Sequence, residues 1–298
     1  MRVAVTGSTG RLGQALVEAL LEAPFTGPFG PIAWTREQFD LDAPDGIGAA
    51  IDREDPEVVI HTAAWTDVDG CAADPALAMR RNGIATGVLA KACADRGVDL
   101  IVVSTNEVFD GLRTDGAGYG PADQPAPPNP YGASKLAGER AAGDAYIGAS
   151  AALGIVRTAW LFGQPGRDFP RKILDAAEKA LASGEPLRVV GDEWGNPTYA
   201  ADVAEGICEL LAEDAIGGIH HLVDGGVATR AQWARDILAR LSVEIPVEEV
   251  PSTTWSRPST PPRWGVLTPT PMPSGEALRP WPLAMADYAP LLRRSVAR

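Results

Sequence analysis

The sequence predicts an α/β fold: a doubly wound parallel sheet followed by a smaller C-terminal α/β lobe for substrate. Three observations carry this expectation. A short apolar strand runs into a glycine turn and then a helix at the N-terminus, strand and helix go on alternating as far as residue 160, and the strands read as continuous apolar runs. Strands buried on both faces of a parallel sheet need no polar alternation, and a strand–helix alternation implies right-handed crossovers with helices on both faces.

Arg2 to Thr6 is β-branched and apolar and stops at glycine, and Leu12, Leu16, Ala19 and Leu20 then recur at helical spacing. Pro31 to Thr35 reads as a strand, Asp45 to Arg53 as a helix, Val58 to His61 as a strand, Ala76 to Arg96 as one long helix and Val98 to Ser104 as a strand. After a proline-rich loop from Gly116 to Pro130, Tyr131 to Ala145 has helical character and Leu153 to Thr158 is another strand. Helices over about 169–183 and 199–213 flank a strand at Leu187 to Val190, and Arg230 to Leu241 is a third helix. Ten of the 26 prolines fall between Pro246 and Pro282, a spacing no helix runs through. That segment is a disordered tail or a packed, extended arm, and Trp255, Trp264 and Trp281 favour the arm, because disordered chains are poor in aromatics. The expected division is residues 1–160 for a nucleotide-binding domain, to which some later segments return, and 161–298 mainly for substrate.

Composition narrows the function. Of 298 residues 45% are apolar and 22% charged, an ordinary globular balance for one large or two modest domains. With 26 Lys+Arg against 39 Asp+Glu the net charge is −13, which disfavours nucleic acid and anionic membrane as partners. Cys71, Cys93 and Cys208 are far apart and odd in number, and His61, His220 and His221 make no metal site, so neither a disulfide framework nor bound metal is expected and the setting reads as cytoplasmic. No apolar run has the length of a signal peptide or a membrane span. A homodimer is left open.

Gly7-Ser8-Thr9-Gly10-Arg11-Leu12-Gly13 is a GxxGxxG loop directly after the first strand. In that position Gly7 allows the tight turn, Gly10 a close approach of backbone N–H groups to a pyrophosphate and Gly13 close helix–strand packing, the pattern of a dinucleotide-binding (Rossmann) crossing. The second strand ends at Arg36, where an NAD-selective site places a carboxylate. A guanidinium there suits a 2′-phosphate and points to NADPH, with NADH as the alternative, while Asp40 of Phe39-Asp40-Leu41 is the nearest acid to an adenine. Tyr131 and Lys135 lie four residues apart on one helical face, where an ammonium lowers the pKa of a phenol. The strand before them ends in Ser104 and Thr105, hydroxyls that suit a substrate carbonyl at the carboxyl edge of a sheet.

Together these motifs resemble the extended short-chain dehydrogenase/reductases, and within them the dTDP-4-dehydrorhamnose reductases, over most of the chain. The resemblance also takes in Ala63-Ala64-Trp65-Thr66-Asp67-Val68-Asp69, Asn82, YGxSKLAGE at 131–139, VFDG after the catalytic strand, Arg157-Thr158-Ala159-Trp160 and Gly195-Asn196-Pro197-Thr198. It implies a catalytic group of Thr105, Tyr131 and Lys135, with Tyr131 protonating the C4 oxygen of a nucleotide-linked 4-keto-6-deoxysugar as NADPH delivers hydride. It further implies that Ala63, Ala64 and Leu41 lie beside the cofactor, that Thr66, Val68 and Trp160 lie near the sugar with Asn196 on the same side, and that Arg263 meets the substrate's phosphates. This chain departs from the family pattern at Glu107, where a tyrosine is usual, at Glu193, where a glutamine is usual, and at a shortened Pro262-Arg263-Trp264. Glu107 leaves open an NAD-dependent dehydratase, epimerase or decarboxylase, and a non-catalytic NADP-binding regulatory subunit is a third reading.

Overall fold

A computed structural model describes residues 1–296. In chain order the sheet begins with β1 (Val3–Thr6), α1 (Arg11–Glu22), β2 (Ile32–Trp34), α2 (Ile47–Glu54) and β3 (Val58–His61). Three helices, α3 (Val68–Ala73), α4 (Pro75–Ala78) and α5 (Ala85–Ala94), lead to β4 (Asp99–Thr105), α6 (Pro130–Ala145) and β5 (Leu153–Thr158). Beyond it lie β6 (Leu161–Phe162), α7 (Phe169–Ser183), β7 (Leu187–Val190), β8 (Trp194–Gly195), β9 (Thr198–Tyr199), α8 (Ala200–Ala212) and β10 (Gly218–His221). The chain closes with β11 (Ala228–Thr229), α9 (Arg230–Leu241), β12 (Val247–Val250) and α10 (Trp281–Val296).

Six strands form one parallel sheet in the order β10-β5-β4-β3-β1-β2. The unbroken apolar strands have a direct explanation in their two faces. Val3, Val5, Ile60 and Ile101 pack with Leu16 and Leu20 of α1 and Ile207 and Leu211 of α8. Their neighbours Ala4, Val59, Leu100 and Val102 pack on the other side with Ile47 and Ile51 of α2 and Leu89 of α5. Every residue of the central strands β1 and β3 is therefore buried, and alternation would place a polar group in one of the two cores. The order reverses between β1 and β3, which opens a crevice at their carboxyl ends. A third apolar cluster joins α7, β7, α9 and α10 around Trp233, Phe162 and Tyr288.

Two expectations change, and of the two readings of the proline-rich segment the favoured one holds. The helix read over Ala76–Arg96 is broken: Pro75 starts α4 behind the Asp74 cap, and Met79–Ile84 is a π-helical turn before α5. That turn brings Asn82 to the 62–66 loop, where its Oδ1 accepts from Trp65 N at 2.8 Å and its Nδ2 donates to Trp65 O at 3.0 Å. Helix α3, within the Ala63–Asp69 stretch and beyond it, has no apolar periodicity to announce it. The proline-rich segment is a packed arm: Trp264 N donates to Gly111 O at 3.1 Å, Thr268 N to Tyr119 O at 2.9 Å and Gly225 N to Arg279 O at 2.9 Å. It ends in α10, whose first turn accommodates Pro282 because those N–H groups lack helical partners anyway. Among the described residues no helix is long and apolar enough to cross a membrane.

Candidate active site

A cleft of about 670 Å³ opens at the carboxyl ends of β1, β3, β4 and β5. At one end Gly7, Thr9, Gly10, Arg11, Leu12 and Gly13 form its floor, with Arg36, Asp40 and Leu41 after β2 and Ala63 and Ala64 after β3. At the other end Thr66, Val68, Ser104, Thr105, Glu107, Tyr131, Lys135 and Trp160 line it. Residues from six separate segments therefore reach one crevice.

The first loop fits a dinucleotide. Gly7 has φ +63, and a Cβ there would stand 2.8 Å from Ala63 N, so the β1 and β3 loops meet only because the side chain is missing. Helix α1 begins at Gly10 with no side-chain cap, which leaves its first-turn N–H groups for an anion, and the chain after β3 supplies the opposite wall. Arg11 Nε donates to Gly163 O at 2.7 Å, tying this loop to the segment after β6.

Tyr131 and Lys135 are held by the start of α6. Asn129 caps that helix, its Oδ1 accepting from Gly132 N at 2.9 Å, and Pro130 occupies the first turn. The remaining Asn129 donor serves both sides of the site, reaching Glu107 Oε2 at 2.6 Å and Thr260 O of the arm at 3.1 Å. An asparagine followed by proline at a helix start is a signal that could have identified this residue in the sequence. Asn82 Nδ2 also donates to Ser134 Oγ at 3.1 Å, so the π-turn and α6 are locked together.

The electrostatics of the phenol run opposite to the sequence expectation. Burial, and after it the Glu107 carboxylate, hold Tyr131 above the ordinary phenol range, the Thr105 hydroxyl opposing them. Tyr131 therefore stays protonated at neutral pH. The Lys135 ammonium is pushed down to about 8 by burial, against Glu139, and it lowers the neighbouring His61. Burial raises Glu107 as well, with Asn129 and Arg230 opposing.

Three substrate candidates have other commitments. Ser104 lines the cleft, yet its hydroxyl donates to Glu139 Oε1 at 2.5 Å, and Glu139 in turn takes Arg157 Nη2 at 2.7 Å in a buried pair. Asn196 lies outside the cleft: its Nδ2 donates to Gly226 O at 3.0 Å and its Oδ1 accepts from Leu267 N at 2.8 Å. Arg263 also lies outside, a surface residue paired to Asp192 at 2.8 Å. The cation that does reach the substrate end is Arg230, which no local pattern marks. Its guanidinium carbon stands 3.5 Å from the Trp160 ring centroid, and its Nε stands 3.5 Å from Glu193 Oε2. Burial brings Arg230 down to about 10 against the pull of Glu193 and Glu107. The two acidic departures, 107 and 193, thus both act on one half-buried arginine.

A doubly wound sheet, a glycine loop at its switch point and a phenol and ammonium one turn apart in the same crevice define a short-chain dehydrogenase/reductase fold. The model of the RmlD substrate binding domain family matches residues 1–291, and the chain belongs to that family. It is 33% identical over 293 residues to the dTDP-4-keto-6-deoxy-D-glucose reductase of Streptomyces niveus, covering 97% of this chain and 96% of the relative. It is 36% identical over 264 residues to the dTDP-4-dehydrorhamnose reductase of Mycobacterium tuberculosis, covering 87% and 82%. The solved dTDP-4-dehydrorhamnose reductase of Bacillus anthracis, in complex with NADP, superposes with a TM-score of 0.86 at 27% identity, covering 96% of this chain and 98% of that one.

Proposed function

We propose that the chain is an NADPH-dependent ketoreductase acting at C4 of a dTDP-linked 4-keto-6-deoxysugar. The observation that carries the reading is the convergence of Thr105, Tyr131 and Lys135 with the Gly7–Gly13 loop in one cleft. The related reductases and the NADP-bound neighbour supply the substrate class and the cofactor. Residues 1–160, with α8 and β10 returning to the sheet, hold the cofactor, and residues 161–298 serve mainly the substrate.

A reduced nicotinamide dinucleotide held in this cleft would supply the hydride. The first-turn N–H groups of α1 would hold its pyrophosphate, and Lys135, protonated below about pH 8, would donate to its ribose hydroxyls. Tyr131, kept neutral by burial and by Glu107, gives its proton to the C4 oxygen, and the Thr105 hydroxyl donates to the same oxygen as charge develops there. Trp160, Arg230 and Glu107 bound the sugar on the side facing α9, and Thr66 and Val68 bound it on the other.

The test is loss of nicotinamide absorbance when the purified protein meets NADPH and a dTDP-4-keto-6-deoxyhexose. Tyr131→Phe should remove roughly two to four orders of magnitude of turnover while nucleotide binding persists. Wild-type turnover in that variant would take Tyr131 out of its role. A reducing, cytoplasmic setting is supported by three unpaired cysteines, two of them buried. A homodimer is proposed on the α5–α6 face, where Ile84 is 56% exposed beside Gly87, Val88 and Ala141.

A further inference from the structure

We propose that Arg81 joins Arg36 in holding the 2′-phosphate of the cofactor, and that Asp42, which bridges the two guanidiniums, is the internal competitor that sets the preference for the phosphorylated form. The inference rests on the reading of the cleft as a nicotinamide dinucleotide site. The sequence pointed to Arg36 alone, and the structure adds a second cation from a different segment. Arg81 comes from the π-turn between α4 and α5 and reaches across the cleft mouth to the loop after β2.

The geometry is that of an anion site with an internal occupant. Asp42 Oδ1 accepts from Arg81 Nε at 2.7 Å, and its Oδ2 accepts from Arg81 Nη2 at 2.7 Å and Arg36 Nη2 at 2.9 Å. Arg36 Nε donates to Asp40 Oδ2 at 3.1 Å. Two guanidinium forks converging on one carboxylate match a phosphate monoester at least as well, since it brings three acceptor oxygens and up to two charges. The site follows β2, where a doubly wound sheet places the ribose 2′ position. Arg81 does not depend on Asp42 for its place: its guanidinium lies 5.4 Å from the centroid of the Trp65 ring, and Trp65 is held on both backbone groups by Asn82.

Charge decides the direction of the effect. Arg36 and Arg81 balance Asp40 and Asp42, so the cluster is neutral as it stands, and Arg80 also acts on Asp42. The Asp42 side chain is 36% exposed, so turning it to water as a phosphate takes its donors strands no buried charge. An incoming phosphate dianion must displace this monoanion, which moderates the gain from two arginines. Removing the carboxylate should strengthen binding of the phosphorylated cofactor, and removing Arg81 should weaken it.

The experiment measures dissociation constants of NADP⁺, NAD⁺ and 2′,5′-ADP for the full chain by calorimetry, with a thermal melt confirming that each variant is folded. Arg81→Gln should weaken NADP⁺ and 2′,5′-ADP about tenfold and leave NAD⁺ within about twofold, the scale of one partly exposed charge-assisted contact. Asp42→Asn should move the NADP⁺ to NAD⁺ ratio the other way. An equal loss of both dinucleotides in Arg81→Gln, or a shift toward NAD⁺ in Asp42→Asn, overturns the proposal while the cofactor reading stands. A wild-type chain that binds none of the three nucleotides overturns that reading and the proposal together.

Discussion

Replacing Gly132 by alanine strikes the contact that sets the distance between the two halves of the catalytic group. Gly132 lies in the first turn of α6 beside Tyr131, and a Cβ there would stand 2.0 Å from the Glu107 backbone oxygen, 2.8 Å from its carbonyl carbon and 3.0 Å from Pro127 Cβ. Carbon and carbonyl oxygen come no closer than about 3.3 Å even in favourable contacts, so the helix start and the Thr105–Glu107 turn must part by more than about 1 Å. Tyr131 rides on one side of that gap and Thr105 on the other. A misplacement of that size costs about 100-fold in turnover, and that is the expected loss of kcat with NADPH and the keto sugar. Overpacking of this kind costs roughly 1–3 kcal/mol, which lowers the melting temperature without abolishing the fold. The Gly7–Gly13 end lies across the cleft and Lys135 is the one α6 residue assigned to the cofactor, so NADP⁺ affinity should fall far less than kcat. The assay combines steady-state kinetics, nucleotide titration and a thermal melt on one preparation. A folded variant with wild-type kcat, or one losing cofactor affinity and turnover in parallel, would refute the reasoning.

Glu107→Gln removes the negative charge that, after burial, holds the phenol up, so the alkaline limb of kcat/KM against pH should move to lower pH; a limb that stays in place separates Glu107 from Tyr131. Glu139→Ala leaves the buried Arg157 unpaired and frees the Ser104 hydroxyl, with an expected cost of about 3–5 kcal/mol in denaturant unfolding, much of it recovered by the double replacement Glu139→Leu, Arg157→Met. Asp224 is buried beside Asp202, and burial followed by the Asp202 carboxylate raises its pKa. Its folded-state pKa lies above the unfolded one, so its stabilising contribution is whole below the ordinary aspartate value of 3.8 and is lost as pH rises toward about 8. Asp224→Asn should flatten that decline in chemical unfolding measured across the window, and an unchanged pH slope would show that another group carries it.

The legible parts of the fold were those governed by neighbours in sequence. The limits of β3, β5, β7, α7 and α9 read from apolar runs and periodicity coincide with the observed ones. The illegible parts depended on partners far along the chain. The π-turn at Met79–Ile84 sits within an apolar pattern that looks like one helix, and it bulges where Asn82 bonds a loop 17 residues upstream. Helix α10 was missed because the proline-rich stretch before it masks its start, although Trp281-Pro282 is a workable first turn.

The chain order alone determined the parallel sheet, the glycine loop at its first crossing and the one-turn spacing of Tyr131 and Lys135, since each arises from contacts within a few residues. Only the packing of distant segments decided which charges face the cleft. It turned Arg263 toward Asp192 and brought Arg81 and Arg230 inward, and it committed Ser104 to Glu139. It also buried Tyr131 near the Glu107 carboxylate, which holds the phenol above its ordinary range. The physical reason is that a side chain's charge state and direction follow from the full set of groups around it in space, most of which are supplied by other elements.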